Sequence, residues 1–248
     1  MTAASSLPPS SGEGAGATGA KAPLVSAMFT RIAGRYDLMN SLMTGGRHHA
    51  WRRLVARAVA AAPAGPVLDL ATGTGDLALA IRETDRRRTV IGVDFAEGML
   101  AQARAKLREL AEPRVALAAA DALALPFRDR TFAAVTSAFL LRNLEDLEGG
   151  IREMRRVAQP GGLVLTLEIV RPGIPVWGAL FGLYFHRVVP AIGAMVARDR
   201  SAYTYLPDSV ERFATPAEVA RLMTGVGLRG VGYRRLALGT IAVHTATA

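Results

Sequence analysis

From Pro66 onward, short runs of apolar residues alternate with longer stretches in which apolar positions recur every three or four residues. Runs of the first kind predict strands, and the second predict amphipathic helices. Val67–Ala71 reads as a buried strand and Asp76–Glu83 as a helix; Thr89–Asp94 is a second strand and Ala96–Leu110 a second helix. Val115–Ala120 reads as a third strand, weakened by its alanines, and Phe132–Ala138 as a fourth. Leu147–Val157 is a helix stopped by Pro160, Gly161 and Gly162, and Leu163–Ile169 is a fifth strand. After a long apolar insertion, Pro216–Thr224 reads as a helix, and Leu228–Leu236 and Thr240–Thr245 as two closing strands. The alternation predicts an α/β fold, a mostly parallel sheet of seven strands wound on both faces. In such sheets ligands bind outside the carboxyl ends of the strands, so the residues just after each strand are the ones to inspect.

Residues 1–25 are rich in Ser, Gly, Ala and Pro and predict a disordered tail. They show neither a basic start nor an apolar run, so they do not read as a signal peptide. Residues 26–248 then form one domain.

Composition narrows the classes. Half of the 248 residues are hydrophobic, which argues against a disordered or fibrous chain. The net charge is +9, which ordinarily raises nucleic acid as a partner. Here the cations are scattered arginines, with Lys21 and Lys106 the two lysines, and no basic run with interleaved aromatics. The reading is therefore no nucleic acid, with an anionic membrane surface kept as a partner for the positive charge. The absence of cysteine excludes disulfides, zinc–thiolate sites and cysteine nucleophiles, and fits a cytoplasmic protein. A homo-oligomer is compatible with this pattern, which does not specify one.

The strongest local signal is Val67-Leu-Asp-Leu-Ala-Thr-Gly-Thr-Gly-Asp76, a strand running through Gly73-x-Gly75 into a helix. The glycines allow a tight turn and close approach of a ligand, and the helix start offers free N–H groups. Nicotinamide-dinucleotide folds use such a turn too. Two details favour S-adenosylmethionine. Asp69 lies in the strand ahead of the glycines, where a carboxylate suits an ammonium group and opposes a pyrophosphate; and Ala78 stands where a dinucleotide fingerprint has its third glycine. Asp94, ending the second strand, is placed to accept from ribose hydroxyls. Asp121-Ala122, after the third strand, is placed to meet an adenine edge with a carboxylate and a backbone N–H. One such aspartate is more often a cap or turn residue. Three on successive strands favour a ligand.

Four further segments make a closer resemblance: Met28–Asn40 (Met-Phe-Thr-Arg-Ile-Ala-Gly-Arg-Tyr-Asp-Leu-Met-Asn), Ala122–Phe127, Ala138–Asn143 (Ala-Phe-Leu-Leu-Arg-Asn) and Tyr203–Ser209. With the glycine turn, these resemble the ubiquinone/menaquinone biosynthesis C-methyltransferases, the UbiE/MenG family, from about Ala27 to the end. The resemblance implies a class I methyltransferase fold with an N-terminal helical lid and a helical insertion before the last two strands. It implies S-adenosylmethionine as methyl donor, S-adenosylhomocysteine as product, no metal, and methylation of a ring carbon on a polyprenylated hydroquinone. Carried over by position, cofactor contacts fall on Thr74, Asp94, Asp121 and Ala122. Two departures stand out: Asp121 where the family usually has Asn, and Ala138-Phe-Leu140 where it commonly reads Ser-Phe-Gly, a change bearing on which quinol fits.

Arg142 is the leading candidate for the chemical centre. A guanidinium stabilises a phenolate and lowers a phenol's pKa, and a water held with Asn143 is placed to take the proton. The bland alternative pairs Arg142 with Glu145 or Asp146 at the surface. Tyr36, in the lid, is a candidate contact to cofactor or substrate; Asp37 reads equally well as a helix cap. Adjacent His48 and His49 lack the spacing that puts two metal ligands on one helix face. His186 is a weaker base candidate inside the insertion. That insertion, Ile174–Ala197, carries His186, Arg187, Pro190 and three glycines, which rejects a membrane span. It reads as a pair of helices covering the sheet, as a greasy mouth for an isoprenoid tail, or as both, and favours reversible attachment to the membrane surface. The alternatives are a methyltransferase for another phenolic or lipid-like molecule, a dinucleotide oxidoreductase, and a non-catalytic module of the same fold.

Overall fold

A computed structural model describes residues 21–197 and 200–248. Seven strands form a single sheet in the order β3-β2-β1-β4-β5-β7-β6. They are β1 (Val67–Leu70), β2 (Val90–Asp94), β3 (Val115–Ala119), β4 (Phe132–Ala138), β5 (Ala158–Ile169), β6 (Arg229–Leu236) and β7 (Ile241–Thr247). The first five are parallel, and β7 runs antiparallel between β5 and β6. The seven-stranded, mostly parallel α/β fold expected from the alternation is present. The alanine-rich third strand forms as an edge, and β5 begins at Ala158, ahead of the expected Leu163. Phe132 pairs with Ala158 before the register shifts, so the strand passes through the proline–glycine turn instead of starting after it.

Both faces are covered. On one, Val55 and Val59 of α2 (Arg47–Val59), Leu77 and Ile81 of α3 (Asp76–Thr84) and Leu107 of α4 (Glu97–Glu109) pack on Val67, Val90 and Leu165. On the other, Ile151 and Met154 of α5 (Leu147–Val157) and Val219 and Met223 of α9 (Pro216–Gly225) pack on Leu68, Phe132 and Val135. The periodicity reading passed over α2 because His48 and Arg52 interrupt its apolar stripe; both turn out to be buried.

A third cluster stands apart from the sheet faces. The long α1 (Lys21–Thr44) meets the insertion, which forms α6 (Pro175–Leu183) and α7 (Val189–Ile192) with π-helical turns at Tyr184–Val188 and Gly193–Ala197, and the helix that follows it, α8 (Arg200–Arg212). Met28, Ile32 and Met39 of α1 pack against Phe185, Val189, Tyr203 and Val210. The insertion therefore builds a wall with the lid helix, and does not cover the sheet as a helix pair would. Of the segment expected as a tail, residues 1–20 lie outside the described residues, and Lys21–Val25 are the start of α1. Among the described residues, no helix is long and apolar enough to cross a membrane.

Candidate active site

The strand order reverses beside β1, whose neighbours are β2 and β4. Their carboxyl ends open a crevice at that point. Two non-glycine residues there adopt left-handed backbone, Ala71 (φ 51°) after β1 and Phe139 (φ 64°) after β4. Such strain is rare away from functional positions. The Phe139 N–H donates to Leu167 O at 2.7 Å, which holds the bend.

Two cavities meet here. The smaller lies over the strand ends, lined by Gly73, Asp94, Phe95, Met99, Asp121 and Ala122, with Asn143 and Leu144 on its far side. The larger, about 440 Å³, lies between α1 and the insertion, and Arg142, Trp177, Phe181, Tyr205 and Leu238 are among its walls. Phe29, Tyr36 and Phe139 line both and form the partition.

Gly73 and Gly75 adopt φ of 58° and 86°, the left-handed turn their lack of a side chain permits. Asp94 accepts from Gly73 N–H and Ala96 N–H, each at 2.8 Å. Burial nonetheless pushes its carboxyl above the usual range. Asp121 is exposed and accepts from Leu123 N–H at 2.9 Å. Carboxylates for ribose and adenine edges, a glycine turn, and apolar Phe95 and Met99 between them are a set that fits an adenosyl group.

Three expected cofactor residues stand outside both walls. Gly75 caps α3. Asp69 is fully buried, and its two oxygens accept from Thr72 (2.7 Å) and Thr136 (2.9 Å) hydroxyls. Burial raises its pKa to about 6 despite those bonds. It fastens β1 to β4 and steadies the turn from behind. Thr74 donates to Asp37 at 2.6 Å. Asp37 lies inside α1 and caps nothing; it also accepts from Lys106 Nζ at 2.7 Å, and Lys106 bonds Asp76 at 2.6 Å. This network latches the lid to the glycine turn and to α4.

Arg142 sits on a single 3₁₀ turn, Leu141–Asn143, and is 9 % exposed. Its partner is neither Glu145 nor Asp146 but Glu168, at 3.0 Å from the Nη1 atom, with Phe139 O accepting a second bond from the same nitrogen at 2.8 Å. Glu168 is fully buried and also accepts from Leu141 N–H at 2.6 Å. Burial raises its pKa to about 6, in spite of the guanidinium. The guanidinium carbons of Arg142 and Arg52 lie 5.7 and 5.8 Å from the Phe139 ring centre. Sequence reasoning missed Glu168; the signal was an acid inside an otherwise uncharged strand run, Leu163–Val170. Asn143 donates to Phe139 O at 3.0 Å and accepts from the Tyr205 hydroxyl at 3.1 Å, so its amide links the two cavities. Tyr36 stacks edge-on to Phe29 at 6.0 Å.

His48 lies in the wall of the larger cavity. Burial, then Arg52, lowers its pKa to about 4. Because an arginine only donates, His48 Nδ1 accepts from Arg52 and Nε2–H is left to donate to Ser41 Oγ at 3.1 Å. Folding brings Asp76 within 4.8 Å of His48 and His49, a grouping the spacing did not foresee. Arg52 (3.3 Å) and Lys106 already neutralise Asp76, so the spot carries positive charge that opposes a cation. His186 pairs with Glu211 at 2.6 Å and lines neither cavity.

This fold and this cleft define a class I methyltransferase that uses S-adenosylmethionine. Residues 17–248 match the model of the ubiE/COQ5 methyltransferase family. The chain is 42 % identical over 225 residues to the demethylmenaquinone methyltransferase of Roseiflexus castenholzii, covering 91 % of this chain and 93 % of that protein. It is 41 % identical over 224 residues to the ubiquinone/menaquinone biosynthesis C-methyltransferase UbiE of Desulfotalea psychrophila, covering 90 % of each. Among solved structures, a methyltransferase from Aquifex aeolicus described as SAM-dependent superposes with a TM-score of 0.59 at 19 % identity, covering 85 % of this chain and 97 % of that one. The chain belongs to the ubiE/COQ5 methyltransferase family.

Proposed function

We propose that this protein transfers a methyl group from S-adenosylmethionine to a ring carbon of a polyprenylated hydroquinone in quinone biosynthesis, with demethylmenaquinol as the first substrate to test. The observation that carries this reading is the meeting of an acid-lined adenosyl cleft and a large apolar cavity at Tyr36, Phe29 and Phe139, with the buried cation of Arg142 on the apolar side.

When bound, the cofactor supplies an electrophilic methyl group on its sulfonium. Asp94, Asp121 and Ala122 would hold its adenosine end. The apolar walls of the larger cavity take the ring and the first isoprene units and exclude water. Arg142 stays charged and so is no base; its positive charge lowers the pKa of an adjacent phenol and stabilises the phenolate. Loss of the phenolic proton to water would move electron density to the neighbouring ring carbon, which would take the methyl as its bond to sulfur breaks and S-adenosylhomocysteine leaves. The ring would then lose its own hydrogen as a proton and regain aromaticity, and the phenolate would take back one proton, so that one proton is released overall. Tyr36, in both walls, keeps the two reactants in register.

The long tail of such a substrate resides in a bilayer. Leu180 and Leu238 line the larger cavity while being 54 % and 69 % exposed, which gives it an apolar rim. Together with the net charge of +9, this supports a cytoplasmic enzyme attached peripherally to an anionic membrane.

The test incubates the protein with S-adenosylmethionine and chemically reduced short-chain demethylmenaquinol in detergent, with mass spectrometry of the quinol. A product heavier by one methyl, lost in Arg142→Ala while cofactor binding persists, supports the reading. Absence of product from this and from a reduced benzoquinol, with cofactor binding intact, overturns the acceptor assigned here.

A further inference from the structure

The polar groups of the larger cavity divide into two sets. Most are satisfied within the protein: Tyr184 donates to Met43 O (2.9 Å), Tyr205 to Asn143 (3.1 Å), Thr44 to Asn40 O (2.7 Å) and Thr240 to Ala237 O (2.8 Å), and His48 has both nitrogens engaged. Three nitrogens do not follow. Arg142 Nε, Asn40 Nδ2 and Trp177 Nε1 are buried with no hydrogen-bond partner among the described residues, and all three residues belong to this cavity's wall. Buried N–H groups without an acceptor are rare in folded proteins, because water's hydrogen bonds are lost with nothing in exchange. Two of the three come from segments brought together only by the lid and insertion, Asn40 from α1 and Trp177 from α6. All three are donors. A ligand supplying oxygens and little else would complete the wall.

Resting on the proposed function, we infer that Asn40 and Trp177, with Arg142, are the groups that bind the oxygens of the quinol ring, and that they orient the ring carbon to be methylated. Donor-only recognition has a chemical consequence. It binds a phenolate oxygen most strongly, through the charge of Arg142, and it also accepts a quinone carbonyl, since each offers lone pairs. The oxidised quinone therefore binds this cavity as a dead-end ligand, and the rest of the lining, largely apolar, contributes affinity without reading the oxygens. Asn40 closes the Tyr36–Asn40 segment, so the lid that covers the cofactor also carries a substrate contact, and one helix movement opens both sites.

The experiment measures binding of two ligands to the full chain in detergent with S-adenosylhomocysteine present, by titration calorimetry. One ligand is a short-chain prenylated 1,4-naphthoquinone; the other is the same prenylated naphthalene without ring oxygens. Asn40→Leu and Trp177→Phe remove a donor at similar size. Each is expected to weaken quinone binding about three- to tenfold and to leave the oxygen-free ligand unchanged. Unaltered S-adenosylhomocysteine affinity reports an intact fold, and Asn40→Ala replaces Asn40→Leu should that variant fail it. Equal losses for both ligands, or no loss for either, overturn the inference. Wild-type turnover is measured alongside: methylation without the oxygen-dependent difference removes the donor assignment alone, whereas the difference without methylation removes the proposed reaction alone.

Discussion

Replacing Glu168 by glutamine tests which force governs the pair that holds Arg142. The carboxyl is fully buried, and burial raises its pKa from 4.5 to about 6, outweighing Arg142 and the backbone donors around it. A group raised in the folded state contributes stability while both states keep the proton, and that contribution disappears as pH climbs through the folded value. At about 1.4 kcal/mol per pH unit, the loss for Glu168 is about 2 kcal/mol between pH 4.5 and 6. Glutamine cannot titrate and has no such loss. At pH 4.5 Glu168 is itself a neutral acid with one hydroxyl and one carbonyl oxygen, which the glutamine amide mimics, so the two proteins start within about 1 kcal/mol of each other. The gap, wild type minus variant, should then shift by about 2 kcal/mol in favour of the variant as pH rises to 7. Asp69, also raised to about 6 by burial, titrates in both proteins and cancels in the difference. Urea unfolding followed by tryptophan fluorescence, in half-unit steps from pH 4.5 to 7.5, reads the gap directly. A constant gap refutes the reasoning. A gap that shifts in favour of the wild type with pH would mean that attraction to Arg142, and not burial, sets the behaviour of Glu168.

Asp37→Asn removes the charge that ties α1 to Lys106 while keeping an acceptor for Thr74. The ion pair is partly exposed, 26 % and 39 % at its two side chains, so its contribution is about 0.2–1 kcal/mol; release of S-adenosylhomocysteine in a stopped-flow chase should quicken by at most about fivefold, and an unchanged rate would show that the latch does not govern exit. In Gly98→Ala the added carbon would lie 2.7 Å from Thr30 Cγ2 and 2.8 Å from Thr30 Cα, forcing α1 off α4. A cost of about 1–3 kcal/mol should appear as weaker cofactor binding, and wild-type affinity would mean that α1 does not need this contact to close. The protein should sediment with anionic vesicles at low salt and be released by salt or by Leu180→Asp with Leu238→Asp; a protein that stays in the supernatant at low salt has no such attachment.

Much of the cleft was legible beforehand because its determinants are local. A strand that runs through Gly73 and Gly75 into a helix places an acid and free N–H groups at one end whatever packs around it, and Asp94, Asp121 and Ala122 follow from strand ends in the same way. Even the weak run Val115–Ala119 became a strand, because β2 offered it an edge to pair with. Periodicity could not report α2, where the stripe is broken by His48 and Arg52, residues that become buried only through partners on other elements. Nor could it assign Arg142 to Glu168, 26 residues away, or Thr74 to Asp37, 37 residues away. Asp69 looked free to meet a ligand until Thr136 of β4 closed over it. The sequence by itself thus determined the winding of the sheet, the glycine turn and the acids that follow the strands, since each depends on neighbours within a few residues. The tertiary structure alone decided which polar groups find partners among the described residues, and it built the larger cavity. Both depend on α1 and the insertion packing face to face, a contact between segments some 150 residues apart that no local pattern encodes.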